Sequence, residues 1–320
     1  MEKNLYIDAS HPEETRIVLK SGPYIEEYES ENKNNLSLKN NIYLGIVSRV
    51  EPSLQAAFIN YGRERHGFLA FSDIQSDYYQ IPKEDKDQLQ KAEEKIREDL
   101  KEETESGEIE SKNQPDEIKE KSNIETADSN ENKDQTSGQS EKLRENLKNR
   151  YGVRKYRIQE VIKPGQVILI QVLKEERGQK GAALTTFISL AGKYIVLMPN
   201  TPKGGGISRK IFNPADRKKI RTILNDIKIP KEMGLIVRTA GSNKTKNEIN
   251  NDLSSLVKIW DQIKENAINS IAPALIHQES EIIKRTLRDM FDENTQNIVV
   301  EGNEGYKKAQ SFMKTMMPSN

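Results

Sequence analysis

The sequence contains no cysteine. That excludes disulfides, thiolate metal sites and a cysteine nucleophile, and it suits a reducing cytoplasm, which is the expected location. Long apolar runs are missing as well. Nothing approaches the ~18 residues that a membrane helix requires, and Met1-Glu2-Lys3-Asn4 is not the start of a signal peptide. No Gly-x-x-x-x-Gly-Lys occurs, which sets aside a P-loop enzyme. Hydrophobic residues reach only 34%, against 31% charged, so part of the chain is expected to lie outside any packed core. Its 320 residues still suffice for two or three domains. The expectation is a soluble intracellular protein without a transmembrane segment.

The net charge of +0 conceals an uneven distribution. Between Lys83 and Lys148 stand 21 acidic and 13 basic residues, whereas the rest of the chain holds 29 acidic and 37 basic ones. The part expected to fold is therefore basic, which suits a polyanionic partner. From about Ser76 to Arg150 the composition turns to Lys, Glu, Asp, Ser, Asn and Gln, and aromatic residues vanish between Tyr79 and Tyr151. Gln88 to Glu103 could form a solvated helix through Glu/Lys pairs. Ser106 to Ser140 has too little apolar surface to offset the entropy of ordering. Residues 76–150 are thus expected to be a disordered acidic insertion, either a spacer or a tether that competes with a polyanion.

Asn4 to Glu29 alternates apolar and polar residues, and Ser21-Gly22-Pro23 separates two runs as in a short hairpin. A second cluster of strands fits Ile42 to Ile74, with turns at Glu51-Pro52-Ser53 and Asn60-Tyr61-Gly62. Strand patterning resumes at Val161 to Gly165 and continues through the β-branched run Gln166 to Leu173. Further strands fit Tyr194 to Met198 and Gly234 to Thr239. Apolar residues at three- and four-residue spacing predict helices over Pro214 to Leu224, Glu248 to Ala267 and Ile282 to Met290. The pattern predicts an α+β assembly.

Within Ile42 to Ile74, the stretch Gly67-Phe68-Leu69-Ala70-Phe71-Ser72-Asp73-Ile74 resembles the third strand and following turn of an S1 domain, a five-stranded barrel of the OB type. Pro164-Gly165-Gln166 and the run to Glu176 resemble its fourth strand. Such barrels bind single strands because bases stack on exposed rings while basic groups follow the backbone. Phe58, His66 and Phe68 are the candidate platform, with the two phenylalanines as neighbours on one barrel face. Otherwise a strand phenylalanine sits in a core, and His66 is a plain surface residue.

A longer set of motifs resembles the amino-terminal part of the ribonuclease E/G family. It comprises Glu175 through Gly192, Leu197-Met198-Pro199-Asn200, Gly205-Gly206-Ile207-Ser208-Arg209, Gly234 through Ala240 and Leu275 through Ser280, in the family's order. The resemblance implies an S1 domain inserted into a ribonuclease H-like subdomain and followed by a sensor of RNA 5′-monophosphate ends. The implied boundaries are 1–37 for the first part of the ribonuclease H-like subdomain and 38–187 for the S1 domain with its insertion. The sensor follows over 188–283, and 284–320 is a second, incomplete part of the ribonuclease H-like subdomain. The matching sensor positions are Gly192, Val196, Arg209, Arg238 and Thr239. Their chemistry fits, since a guanidinium presents a planar fork of donors to phosphate, a threonine hydroxyl adds another, and glycine permits close approach. Lys180 matches an RNA-contacting lysine beside the S1 face.

In that family a pair of Asp residues holding Mg²⁺ cuts RNA, activating water and neutralising charge on the scissile phosphate. They lie in a nuclease subdomain further downstream, as does a Cys pair that forms an inter-subunit zinc link. This chain has no counterpart of either, and Asp8 and Asp289 read as scattered structural acids. The expectation is therefore no catalytic residue, metal site or cofactor in this chain, with Mg²⁺ and Zn²⁺ confined to the missing downstream part. The chain reads as the RNA-binding portion of a single-strand endoribonuclease of RNA processing and decay, inactive alone. Its expected partner is single-stranded RNA, and two branches stay open: a truncated product or fragment that binds RNA and cannot cleave it, or a chain that a separately encoded nuclease subdomain joins to restore cleavage. The alternative is a non-catalytic RNA-binding or ribosome-associated S1 protein, which would need no 5′-end pocket.

Overall fold

The computed structural model describes residues 3–11, 13–32, 37–83, 85–86, 156–176, 180–201, 206–227, 230, 233–279, 281–292 and 294–316. Most of the insertion read from the sequence, residues 87–155, lies outside these. Its first residues belong to the fold instead. Ser76 is buried, the Gln80 N–H donates to the Val161 carbonyl at 2.9 Å, and the Tyr78 hydroxyl accepts from the Leu169 N–H at 3.3 Å.

Three packed regions follow from the sequence patterns. In the first, β1 (Lys3–Asp8), β2 (Glu14–Ser21), β3 (Tyr24–Asn32) and β14 (Thr295–Glu301) form a sheet in the order β14-β1-β2-β3. The hairpin between β2 and β3 turns at Gly22, whose φ of +55° favours a residue without a Cβ. Leu5, Ile7, Ile17 and Leu19 alternate along β1 and β2 onto one face. They pack against Ile282, Ile283 and Leu287 of α4 (Ile282–Asp289) and Ala309 of α5 (Asn303–Met316). The pairing of β1 with β14 is parallel, so the first and last strands of the described chain share one sheet.

The second region is a barrel. Strands β4 (Ile42–Glu51), β5 (Ala56–Asn60), β6 (Gly67–Ala70), β7 (Val167–Lys174) and β8 (Ala183–Thr185) pair in the order β4-β5-β6-β8-β7, and β4 also pairs with β7, which closes the ring. Val47, Ala57, Ile59, Leu69, Ile168, Ile170, Val172 and Leu184 fill it. The segment 161–165 is not a strand. Ile158–Val161 is a short helix, α1, with Ile158 and Val161 buried, and Gly165 turns at φ +83° before β7. A strand absent from the sequence reading, β13 (Ala274–His277), lies antiparallel against the start of β4.

The third region is a four-stranded sheet, β9 (Leu190–Ala191), β10 (Ile195–Met198), β11 (Gly206–Ile207) and β12 (Gly234–Val237), in the order β11-β12-β10-β9. Helix α3 (Lys246–Asn269) covers it with Ile249, Leu253, Leu256, Trp260 and Ile263, and α2 (Pro214–Asp226) adds Ile220. Both helices carry their caps in the sequence. The Asn213 side chain accepts from the Ala215 N–H, and Thr245 and Glu248 form a reciprocal capping box. No helix among the described residues is long and apolar enough to cross a membrane.

Candidate nucleic-acid interface

On the barrel, Ala57, Ile59 and Leu69 point inward while Phe58 and Phe68 between them are half-buried. The two phenylalanines are direct cross-strand partners, with ring centroids 6.0 Å apart at 77°. An edge-to-face pair of this kind holds both rings upright. They are therefore on the outer barrel face, not in the core. The β4–β5 register shifts between Val47 and Arg49, so Ser48 is an extra residue and Arg49 stands opposite Phe58. Its guanidinium carbon lies 4.3 Å from the Phe58 ring centroid, a cation–π distance. Arg49, Phe58 and Phe68 thus form one row across three strands. Sequence reasoning missed Arg49, because its place depends on that bulge.

His66 is exposed in the turn before β6. Lys180, also exposed, borders the same edge through its neighbour. A Cβ on Gly181 would stand 2.0 Å from the His66 carbonyl oxygen, so only glycine fits there. The next carbonyl, of Ala182, accepts the Phe68 N–H at 2.8 Å. These backbone contacts set the Lys180–Gly181 step beside His66 at the start of β6, the strand that carries Phe68.

The other five candidates gather at the small sheet. Ile195, Leu197, Leu235 and Val237 face the core, while Val196 and its partner Ile236 are only half-buried on the opposite face. Strand β12 ends at Val237, two residues earlier than the sequence suggested, and Thr239–Gly241 form a 3₁₀ turn. Arg238 leaves the strand with its backbone N–H donating to the Tyr194 carbonyl at 2.8 Å. Its Nη1 donates to the Gly192 carbonyl at 2.7 Å, and its Nη2 donates to Asp289 Oδ1 at 2.8 Å. Thr239 and Arg209 are exposed. Arg209 follows β11, which runs parallel to β12 with Ile207 opposite Val237, and the Ser208 N–H donates to the Val237 carbonyl at 2.9 Å. Arg209 and Arg238 thus leave adjacent strand ends.

Gly192 has a different reason to be glycine than close approach to a ligand. A Cβ there would lie 2.6 Å from Asp252 Oδ2. The Asp252 carboxylate, 3% exposed, accepts the backbone N–H groups of Lys193, Tyr194 and Ile195 at 3.3, 2.8 and 3.1 Å. Burial pushes this carboxyl up, and the three donors oppose the shift. The cradle fixes the loop whose Gly192 carbonyl holds Arg238. Asp252 and Asp289 both escaped the sequence reading as site residues; Asp289, read as a scattered structural acid, pairs with Arg238. Among the described residues no group of three or more His, Asp or Glu side chains is placed to hold a metal ion. Asp8 accepts from the Ser10 N–H and hydroxyl, and Asp289 engages two arginines. These residues do not fit the family's Mg²⁺ or Zn²⁺ site.

The architecture defines a class: an α+β protein built around a closed five-stranded barrel compatible with the OB type. Residues 189–320 match the model of the ribonuclease E/G family. Over 316 residues, 99% of its length, the chain is 34% identical to ribonuclease E of Haemophilus influenzae, of which it covers 26%. Over 299 residues, 93% of its length, it is 36% identical to ribonuclease E of Escherichia coli, of which it covers 22%. A ribonuclease E of Buchnera aphidicola is 36% identical over the same length, with 26% of it covered. These matches support the ribonuclease E/G family for this chain. It spans about a quarter of the length of these relatives.

Proposed function

We propose that this chain is the RNA-binding portion of a ribonuclease E/G-type endoribonuclease of RNA processing. It holds single-stranded RNA on the barrel and reads a 5′-monophosphate at the end of the small sheet. The observation that carries this reading is the row Arg49–Phe58–Phe68, which presents half-exposed rings and a cation on a face whose alternate residues are buried. Rings accept any base by stacking, the Arg49 guanidinium steadies the Phe58 ring, and Lys180 can follow the phosphates. At the sheet end, Arg209 and Arg238 supply charge-assisted donors that a terminal phosphate can use and a 5′-hydroxyl cannot. The hydrolytic step belongs to the family's metal-holding nuclease region, and this chain contributes grip and end recognition.

The test is equilibrium binding of one oligonucleotide carrying either a 5′-monophosphate or a 5′-hydroxyl. The chain is expected to prefer the monophosphate. Phe58→Ala and Phe68→Ala should each weaken both RNAs alike by ~1–3 kcal/mol. Unchanged affinity in folded variants would remove the barrel face from the reading, and equal binding of the two ends would remove the phosphate site.

A further inference from the structure

The guanidinium of Arg238 is gripped from two sides by groups outside its own strand. The Gly192 carbonyl takes Nη1 from the sheet side, and Asp289, the last residue of α4, takes Nη2 from the helix side. Both grips are themselves anchored. Asp252 fixes the 192–195 loop, as described above. Asp289 is held by Arg288, whose Nε reaches Oδ1 at 3.2 Å and whose Nη2 reaches Oδ2 at 2.9 Å. The Arg288 side chain is 11% exposed and continues to Glu279 and, at 3.4 Å, to the Ala191 carbonyl. The Glu279 N–H donates to Asn41 Oδ1 at 3.0 Å, next to the first barrel strand. Burial alone would push the Asp289 carboxyl up, but the Arg288 and Arg238 guanidinium groups hold it below the ordinary range.

Two features make this more than a structural ion pair. Arg238 and Asp289 are about one-third exposed at the contact, 30% and 34% for their side chains, so a solvent-borne anion can reach them. A guanidinium has five N–H donors, and acceptors among the described residues engage Nη1 and Nη2 of Arg238. Its other donors lie in the plane that the two grips set. A flexible arginine would have to be ordered by its ligand at a cost in affinity, whereas this one is ordered beforehand.

Resting on the 5′-phosphate reading above, we infer that Asp289 is a positioning residue of the phosphate site, one that fixes the plane of the Arg238 guanidinium for a terminal phosphomonoester. A carboxylate that merely competed with phosphate would have the opposite effect when removed. Positioning predicts loss of the monophosphate preference, and competition predicts gain.

The experiment measures the affinities of the 5′-monophosphate and 5′-hydroxyl forms of one RNA for the whole 320-residue chain. Asp289→Ala should lower the ratio of the two affinities about tenfold, the worth of one charge-assisted hydrogen bond, with the loss falling on the monophosphate form. Asp289→Asn, which keeps an acceptor oxygen for Arg238, should retain most of the ratio. A ratio that is unchanged or raised in Asp289→Ala overturns the inference. If that variant does not fold, Asp289→Glu carries the test: its longer arm should lower the ratio, and an unaltered ratio overturns the inference. If the wild-type chain binds both ends equally, the phosphate-site reading itself has failed. A wild-type preference that survives loss of Asp289 is a failure of this inference alone.

Discussion

On the barrel, the arginine contact is with a ring: Arg49 lies over Phe58, and the ring meets Phe68 edge to face. At the small sheet, the arginine contacts are with a carbonyl and a carboxylate at hydrogen-bond distance. Ring contacts are short-ranged but weakly directional, so they suit a surface that must accept any base. Hydrogen bonds from a planar fork have fixed angles, so they suit one chemical group at one position. The two regions also differ in how they are built. The barrel row comes from adjacent strands of one closed sheet. The sheet end draws Gly192, Arg238, Asp252 and Asp289 from a strand-flanking loop, a strand end and two helices.

That difference predicts unequal fragility. Asp252→Ala should have the largest effect, because three backbone N–H groups, two of them buried, lose their acceptor at once. A stability loss of about 3 kcal/mol is expected, since each orphaned donor costs ~1–3 kcal/mol and the loop can relax towards water. Gly192→Ala should act on the same cradle by pushing the carboxylate aside, at about 1–3 kcal/mol. Both are read as a fall in unfolding midpoint, with 5′-hydroxyl RNA binding retained in the folded fraction. An Asp252→Ala protein as stable as the wild type would show that the cradle contributes little.

The comparison sharpens with Arg238→Lys. It keeps the charge but not the planar fork, so it should remove ~1.5–3 kcal/mol from binding of the monophosphate and leave the 5′-hydroxyl form alone. Phe58→Ala should do the reverse and weaken both forms equally. The double variant should lose the sum of the two effects, because the sites share no residue. Strong non-additivity in the double variant would mean that the two regions act as one site.

How much of this was legible in the sequence follows from the same contrast. Phe58 and Phe68 could be read as neighbours because strand alternation is local and cross-strand pairing of consecutive strands is the default. The three- and four-residue spacing of apolar residues is equally local, so α2 and α3 were foreseen to within about two residues. Asp252 and Asp289 could not be assigned to the site. The first joins Gly192 from sixty residues along the chain, and the second joins Arg238 from fifty-one. Nothing in the sequence states which helix turn meets which strand end. The segment 161–165 misled for another reason. Ile158 and Val161 are apolar at a spacing of three, but four residues are too few to separate a helical period from a strand.

The smallest effect is expected at Arg49, and it tests what kind of contact the barrel makes. Its position opposite Phe58 exists only because Ser48 is bulged out of the β4–β5 register. If the guanidinium serves to orient the ring, Arg49→Ala should cost RNA binding about 0.5–1 kcal/mol, the size of an exposed cation–π contact, with the salt dependence unchanged. If it also touches a phosphate, the slope of log affinity against log salt should fall by about one as one fewer counterion is released. The ring geometry favours orientation: at 4.3 Å from the centroid the charge covers one face of Phe58. A base must then stack on the rest of the row, on Phe68 or on the outer side of the guanidinium plane. Arg49→Ala should therefore weaken binding less than Phe68→Ala and leave the 5′-end preference untouched. A slope change of a full unit, with an affinity loss exceeding that of Phe68→Ala, would make Arg49 a phosphate clamp and reverse the order of the two residues.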